Sequence, residues 1–382
     1  MKHSTPQSEG LDARQAFVPE ELERYSRQLI MPEIGLDGQR KLRNARVLIV
    51  GMGGLGSPAV MYLAAAGVGH LGLVDADTLD ISNLHRQIIH STDLIGRPKV
   101  ESAMRRIADL NPLIAAEGFH AKLSAQNTRS LIEPYDLVVD ATDNFPARYL
   151  INDACVLLKK PNVHGSVFRF EGQASVFSAN GGPCYRCLYP EPPPADLAPP
   201  CVDAGVIGVV PGIIGLIQAT EAIKLILGVG DSLVGRLLLF NGLSMRFREL
   251  TVPKDPQCAV CGNAPTILEV LDYDSTCATA ASSVDITAVQ LKSALAASQN
   301  LLLLDVREPW EYEKWHIPGA VSIPLGELER RITDLDPDRP TVAYCQSGGR
   351  SRKATLLLRS KGFRNVRNLE GGILAWAKAA TS

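Results

Sequence analysis

The chain has 382 residues, 46% of them hydrophobic and 21% charged, which is enough apolar material for two cores. A formal net charge of −2 argues against a nucleic-acid binder held by bulk electrostatics. The polar opening MKHSTPQSEGLDAR lacks the apolar segment of a secretory signal, and eight cysteines in such a chain point to metal and thiol chemistry over disulfides, so a cytoplasmic location is expected.

Residues 1–18 are polar and without period, an expected disordered tail. A helix is predicted from Pro19 to Met31, carrying Arg24 and Arg27. Arg46–Val50 is a short, β-branched apolar run of the kind that makes a buried parallel strand. Gly51-Met-Gly53-Gly54-Leu-Gly56 then fits G-x-G-x-x-G, a turn opening a helix over Ser57–Ala66 whose N-terminal amides can face phosphate. A side chain at these glycines would block the turn and the approach of backbone to a nucleotide. A second strand, His70–Val74, ends at Asp75, placed to accept hydrogen bonds from a ribose hydroxyl.

Taken alone, this βαβ half reads as a NAD or FAD site. The next residues change the reading: Asp75-Ala-Asp77, Ser82-Asn83-Leu84-His85-Arg86-Gln87, and Gly96-Arg97-Pro98-Lys99. A dinucleotide site has no leaving group to neutralise. Cleavage of ATP between its α and β phosphates places charge on a departing pyrophosphate, and Arg86 and Lys99 are residue types that bear it. Asp143, in Asp140-Ala-Thr-Asp143-Asn144 after the apolar strand Leu137–Val139, suits magnesium. The residues favour adenylation over hydride transfer.

Further along, a helix over Lys99–Asn111, a strand over Ala115–His120 and a helix over Ala125–Leu131 continue the α/β pattern. Arg148 and Asn152 are expected as a surface pair, and Cys155 as core. Val163–Phe177 alternates like a strand broken at Gly165 and Gly172. Cys184-Tyr-Arg-Cys187 and the distant Cys258-Ala-Val-Cys261 are best explained as one four-thiolate structural zinc site clamping two segments together. The proline-rich Pro190–Pro200 run excludes helix and delivers Cys201 on a loop, a candidate nucleophile. Ala204–Ile217 is shorter than the roughly 18 residues that span a bilayer and reads as a buried helix, so no membrane partner is expected. Glu221 and Lys224 are expected on the solvated edge of Thr220–Leu227, and Leu237–Asn241 and Phe247–Val252 as closing strands.

Composition shifts between Asn263 and Ser283, an expected linker dividing a domain over 19–262 from one over 284–382. In the second, Asp285-Ile-Thr287 caps a helix, Leu301–Val306 and Thr341–Tyr344 are strands, and His316 is expected as a structural hydrogen-bonding residue. The latter strand runs into Cys345-Gln-Ser-Gly-Gly-Arg350-Ser351 and another helix, so loop amides and the helix dipole converge on the thiol. From Arg350 to Arg367 every charged residue is basic, which would attract an acidic partner.

Arg24-Tyr-Ser-Arg27-Gln, GMGGLG, the Asp-x-Asp and SNLxRQ run, Lys99, DATDN and Pro183-Cys184-Tyr-Arg-Cys187-Leu together resemble the MoeB/ThiF family, bacterial relatives of the ubiquitin-activating enzymes. The thiol loop, HIPGA and Leu369–Trp376 (LEGGILAW) resemble a rhodanese domain, though Trp315 and Gln346 replace a usual glycine and a frequent basic residue. The resemblance implies a Rossmann-like α/β adenylating domain with a structural zinc site, joined to an α/β rhodanese domain. It places ATP at Gly51, Gly53, Gly54, Gly56, Asp75, Asp77, Ser82, Asn83, Arg86, Gln87, Lys99, Asp143 and Asn144, with Mg2+ beside it. It further implies a homodimer in which Arg27 reaches the partner subunit's ATP, a persulfide on Cys345 near Arg350, and a covalent role for Cys201. The implied partners are a ubiquitin-like sulfur-carrier protein ending in Gly-Gly and a sulfur donor, either a cysteine desulfurase or thiosulfate. The expected product is a carrier thiocarboxylate, a sulfide source for molybdopterin, thiazole, cysteine, thionucleoside or siderophore synthesis. A modifier activator forming a carrier thioester and a nucleotide-binding scaffold are the alternative readings.

Overall fold

The computed structural model describes residues 17–178, 180–192, 205–272, 284–297 and 300–380. The expected tail through residue 16, Cys201 with most of the proline-rich loop, and residues 273–283 of the expected linker with Cys277 lie outside the described residues. Two compact units emerge, one within Met1–Pro192 and Val206–Asp272, the other within Pro193–Gly205 and Tyr273–Ser382.

The first unit is built on eight strands: β1 (Arg46–Val50), β2 (His70–Val74), β3 (Ala115–Phe119), β4 (Leu137–Asp140), β5 (Asn162–Phe168), β6 (Glu171–Phe177), β7 (Arg236–Asn241) and β8 (Arg246–Thr251). Their order is β3-β2-β1-β4-β5-β6-β7-β8, parallel through β5 and antiparallel beyond it. β1 is hydrogen-bonded on both edges, Leu48 pairing with Gly72 on one side and Val138 on the other. Helices cover both faces, so Val47, Leu48, Ile49 and Val50 are all buried, which is why this strand reads as an unbroken apolar run. The chain order reverses between β1 and β4, and a crevice forms at such a switch, beyond the carboxyl ends of the strands.

Several local expectations are corrected. The helix predicted over Pro19–Met31 is two short ones, Pro19–Arg24 and Ser26–Leu29. Tyr25 leaves helical geometry to bury its ring, where Oη accepts from Asn111 Nδ2 at 2.8 Å. The break between β5 and β6 falls at Arg169, which has a φ of 55°, and not at Gly165 or Gly172. Those glycines stay in the ladder because the Val209–Leu227 helix packs on them: a Cβ on Gly165 would lie 2.5 Å from the Gln218 side chain, and one on Gly172 2.4 Å from Ile214.

That helix has a mean hydropathy of 1.6 and is long and apolar enough to cross a membrane by length and composition. In the fold it lies against β5, β6 and the Gly56–Ala65 helix, with Val210, Ile214, Ala219 and Ala222 in the core. Glu221 was expected on its solvated edge but is buried, accepting from Leu233 N at 2.8 Å and from Lys224 Nζ at 2.6 Å. Burial there is tolerated because both carboxylate oxygens have donors.

The second unit holds β9 (Asp285–Ile286), β10 (Leu302–Asp305), β11 (Val321–Ser322), β12 (Thr341–Tyr344) and β13 (Val366–Leu369) in the all-parallel order β11-β10-β12-β13-β9. Adjacent residues feed opposite layers: Leu304 and Ala343 pack with Leu358 and Phe363, whereas Leu303 and Val342 pack with Leu291 and Ile373.

Because Leu48 is fully buried in the central strand, Leu48→Ala should destabilise the first unit by about 2–5 kcal/mol. Urea unfolding followed by far-UV circular dichroism checks this; all three tryptophans (Trp310, Trp315, Trp376) lie in the second unit, so fluorescence would miss it.

Candidate active sites

At the carboxyl end of β1 the chain turns through Gly51, whose φ of 98° and whose distance from Ala141 exclude a side chain: a Cβ would sit 2.7 Å from the Ala141 carbonyl oxygen. Asp75, at the end of β2, holds the loop from the other side. Its carboxylate accepts from Met52 N at 2.7 Å and Asp77 N at 2.8 Å, and burial pushes its pKa up, with Lys99 opposing. Lys99 is buried and donates from Nζ to the exposed Asp77 at 2.8 Å. Asp80 caps the Ile81–Asn83 turn by accepting from Ser82 N, and Asn83 Oδ1 accepts from Asp80 N. Ser82 and Asn83 thus shape the turn that presents Arg86, whose Nη1 donates to the Ser82 carbonyl at 3.0 Å. Gln87 is buried beside Gly53, and its Oε1 has no hydrogen-bond partner among the described residues.

Contacts therefore gather Gln87 beside Gly53, Arg86 beside Gly54, and Asp75, Asp77 and Lys99 beside Met52 about the Gly51–Gly56 turn. Gly56 packs its backbone directly on the Gly51 carbonyl. Asp143 follows in the turn after Ala141, exposed and without a partner among the described residues, while Asn144 uses its Oδ1 to cap the Phe145–Leu158 helix at Ala147 N. Arg27 is exposed and bonds to none of these groups.

Sequence reasoning missed the residues behind Asp143. Asp140 is fully buried; its Oδ1 accepts from Thr142 N at 3.1 Å and Thr142 Oγ1 at 2.6 Å, and its Oδ2 accepts from His164 Nδ1 at 3.0 Å. Burial alone would raise its pKa, but the His164 hydrogen bond, with Arg148 and Thr142, holds it below the usual carboxylate range. Burial lowers His164, with the Asp140 hydrogen bond opposing. Arg148, expected at the surface, is buried and donates to the Thr142 carbonyl at 3.2 Å. Asn152, expected beside it in solvent, is also buried and accepts from Tyr185 N at 2.7 Å. Cys155 is core, and burial pushes its thiol up.

The two cysteine pairs meet as expected. Cys184, Cys187, Cys258 and Cys261 present sulfurs all within 4.8 Å of one another, with Cys184–Cys258 at 3.5 Å and Cys187–Cys261 at 3.4 Å. Tetrahedral zinc at a Zn–S distance of ~2.3 Å needs sulfurs about 3.8 Å apart, so the donor set fits the ion. Cys187 is pulled down to about 5, first by its hydrogen bond with the Cys184 side chain, with Asp255 N donating to the same sulfur at 3.4 Å. The residues between the first pair anchor the site: Arg186 forks onto the buried Asp153 at 2.8 and 2.9 Å.

In the second unit, Cys345 follows β12 directly and its buried Sγ accepts from Gly348 N at 3.1 Å and Ser351 Oγ at 3.4 Å. Gly348 needs its φ of 105° to turn that amide inward. Arg350 donates from both terminal nitrogens to Glu311, at 2.6 and 2.9 Å. His316 stacks on Tyr312 with ring centroids 3.9 Å apart and bonds to its carbonyl, a structural placement.

The family model of the ThiF family matches residues 25–260, and that of the rhodanese-like domain matches residues 287–379. The chain belongs to the ThiF family and carries a rhodanese-like domain after it. It is 46% identical to the probable adenylyltransferase/sulfurtransferase MoeZ of Mycobacterium tuberculosis, covering 95% of this chain and 94% of the relative. It is 44% identical to the adenylyltransferase and sulfurtransferase MOCS3 of Anopheles gambiae, covering 94% and 87%. Two crystal structures share the fold: E. coli MccB with MccA-N7isoASN (22% identity, TM-score 0.56, 66% of this chain and 77% of that one) and selenomethionine PaaA (23%, 0.55, 65% and 79%).

Two outcomes follow from this geometry. Native mass spectrometry should find one zinc ion per chain, lost together with thermal stability in Cys258→Ser. Glu311 has a folded pKa below its ordinary value, because the Arg350 hydrogen bond outweighs burial. Its contribution to stability is therefore complete above the unfolded pKa of about 4.3 and is lost as pH falls through the folded value. The stability gap between wild type and Glu311→Gln, read by tryptophan fluorescence, should close below about pH 4.

Proposed function

We propose that the two units act in series on the C-terminal glycine of a ubiquitin-like sulfur-carrier protein ending in Gly-Gly. The chain is an adenylyltransferase and a sulfurtransferase, and its nucleotide is ATP. The observation that carries the reading is the crevice where a glycine turn meets two cations, Arg86 and Lys99, and adjoins the unpaired Asp143. Such a constellation suits a departing pyrophosphate better than a retained dinucleotide.

In this scheme a carboxylate oxygen of the carrier attacks the α-phosphorus and pyrophosphate leaves. Arg86 and Lys99 bear its charge, joined by Arg27 from a second copy of the chain, so the working form is a homodimer. Asp75 receives the ribose, while Asp77, Ser82, Asn83, Gln87 and Asn144 line or shape the pocket around the glycine turn. Asp143 would hold the magnesium that accompanies ATP, which supplies charge neutralisation at the phosphates. Adenylation matters because oxide is a poor leaving group, whereas AMP is a good one.

Sulfur arrives as a persulfide on Cys345, loaded by a cysteine desulfurase or by thiosulfate, near the cationic Arg350. Its terminal sulfur attacks the acyl carbon and AMP departs, leaving an acyl disulfide. A second thiol, with Cys201 as the candidate, attacks the Cys345 sulfur of that disulfide; the carrier thiocarboxylate leaves and the two cysteines remain as a disulfide for a cellular thiol to reduce. The zinc ligands Cys184, Cys187, Cys258 and Cys261 take no chemical part. A cytoplasmic location accords with free thiols that must cycle.

The test is ATP–pyrophosphate exchange with and without a Gly-Gly carrier, followed by intact mass of the carrier. Exchange should require the carrier and fall at least ~100-fold in Asp143→Ala. Cys345→Ala should keep exchange and yield no thiocarboxylate. Mixing Arg27→Ala with Asp143→Ala subunits should restore part of the activity; no recovery at any ratio would refute the shared site. No exchange with several carriers would return the function to a scaffold.

A further inference from the structure

Asp140 takes no part in the scheme above, yet it is densely bonded just behind Asp143. Two donors converge on Oδ1, Thr142 N and Thr142 Oγ1, and one on Oδ2, His164 Nδ1. Its backbone carbonyl accepts from Gln218 Nε2 at 2.7 Å, and the carbonyl of Thr142 accepts from Arg148 Nη2. Residues 140–142 are thus tied to β5, to the Phe145–Leu158 helix and to the Val209–Leu227 helix. Asn144 is tied as well, through its helix cap. Asp143 is the single residue of this turn left without a bond among the described residues, and it is exposed.

The Asn144 cap serves the helix start, and the remaining bonds hold residues 140–142 to the elements packed around them. The donor count also explains the residue type. Three donors require acceptors on both side-chain oxygens, which a carboxylate has; asparagine has one acceptor oxygen and would turn an amide toward a donor. A buried charge is retained at a position where a neutral residue would be easier to bury.

We propose that Asp140 is a positioning residue for adenylyl transfer, fixing with Thr142, His164 and Arg148 the turn that presents Asp143 to the phosphates. This rests on the reading of Asp143 as the phosphate-side carboxylate. A group already in place when charge develops costs no reorganisation, and a misplacement of ~1 Å costs on the order of 100-fold in rate.

The experiment is carrier-dependent ATP–pyrophosphate exchange by the full chain, titrated with Mg2+. Asp140→Asn should lower the maximal exchange rate by roughly 10- to 100-fold and raise the Mg2+ concentration for half-maximal exchange. The KM for ATP should change less than the maximal rate, within about threefold, since these variants alter no side chain of the glycine turn itself. Thr142→Val removes one hydroxyl bond and should show the same pattern in milder form, with Thr142→Ser recovering the rate. Should Asp140→Asn fail to fold, the Thr142 pair decides. Wild-type rate and Mg2+ dependence in the folded variants, or equal losses in Thr142→Val and Thr142→Ser, would overturn the inference. If Asp143→Ala abolishes exchange while these variants do not, only the positioning role falls; if Asp143→Ala retains exchange, the underlying reading falls too.

Discussion

Everything in the first unit depends on β1 being paired along both edges and covered on both faces. A strand so enclosed cannot shift, and its carboxyl end becomes a fixed point from which the chain must leave the sheet. It leaves through Gly51, because only a residue free to take positive φ and to lie against Ala141 can make that turn. The crevice proposed for the nucleotide lies where the chain order reverses between β1 and β4, beyond their carboxyl ends. Asp75, Lys99 and Arg86 reach it because they follow the neighbouring strand; Asp143 adjoins it because it follows β4. The site is thus a consequence of strand order more than of any single motif.

The two units, unrelated in topology, use one device at the ends of their parallel strands. Asp140 closes β4 and Asp305 closes β10; both are fully buried, and each accepts from the backbone amide two residues on, at 3.1 and 3.0 Å. Each is then matched by a partner: His164 for Asp140, and for Asp305 the guanidinium of Arg307, which also reaches the Trp315 carbonyl. A strand-end carboxylate acts as a local cap for the loop that follows, and the loop that follows carries function or abuts it. The desolvation cost of the charge is met by converging donors, so removing any partner would leave part of a buried charge uncompensated.

Much of this was legible in the sequence, and the boundary has a physical meaning. Strands buried on both faces announce themselves as apolar runs, glycine turns by residues that admit no substitute, and metal sites by paired cysteines; each is a local signal. What stayed hidden depends on partners far along the chain. Glu221, Arg148 and Asn152 look solvated because polar residues on a helix usually are. They are buried because Leu233 N, the Thr142 carbonyl and Tyr185 N wait for them in the fold. Likewise Gly165 and Gly172 read as strand breakers until the helix that needs their missing side chains is placed over them. The run DATDN carries two acidic residues in one short turn, and exposure to solvent accounts for only one of them.

The cysteines show how far environment, more than identity, sets chemistry. Cys155 packs among apolar neighbours on a helix, and with its charge disfavoured by burial it is inert. Cys187 sits among three other sulfurs with backbone amides directed at it, which favours a thiolate and so a metal. Cys345 is as buried as Cys155, but it stands between a strand end and a helix start, where Gly348 N and Ser351 Oγ point at its sulfur and Ser351 is itself held by Asn368 at 2.6 Å. Four sulfurs facing one another can hold a metal, whereas the Cys345 sulfur meets only an amide and a hydroxyl. The difference between a core thiol, a metal ligand and the Cys345 thiol therefore lies in which groups surround the sulfur.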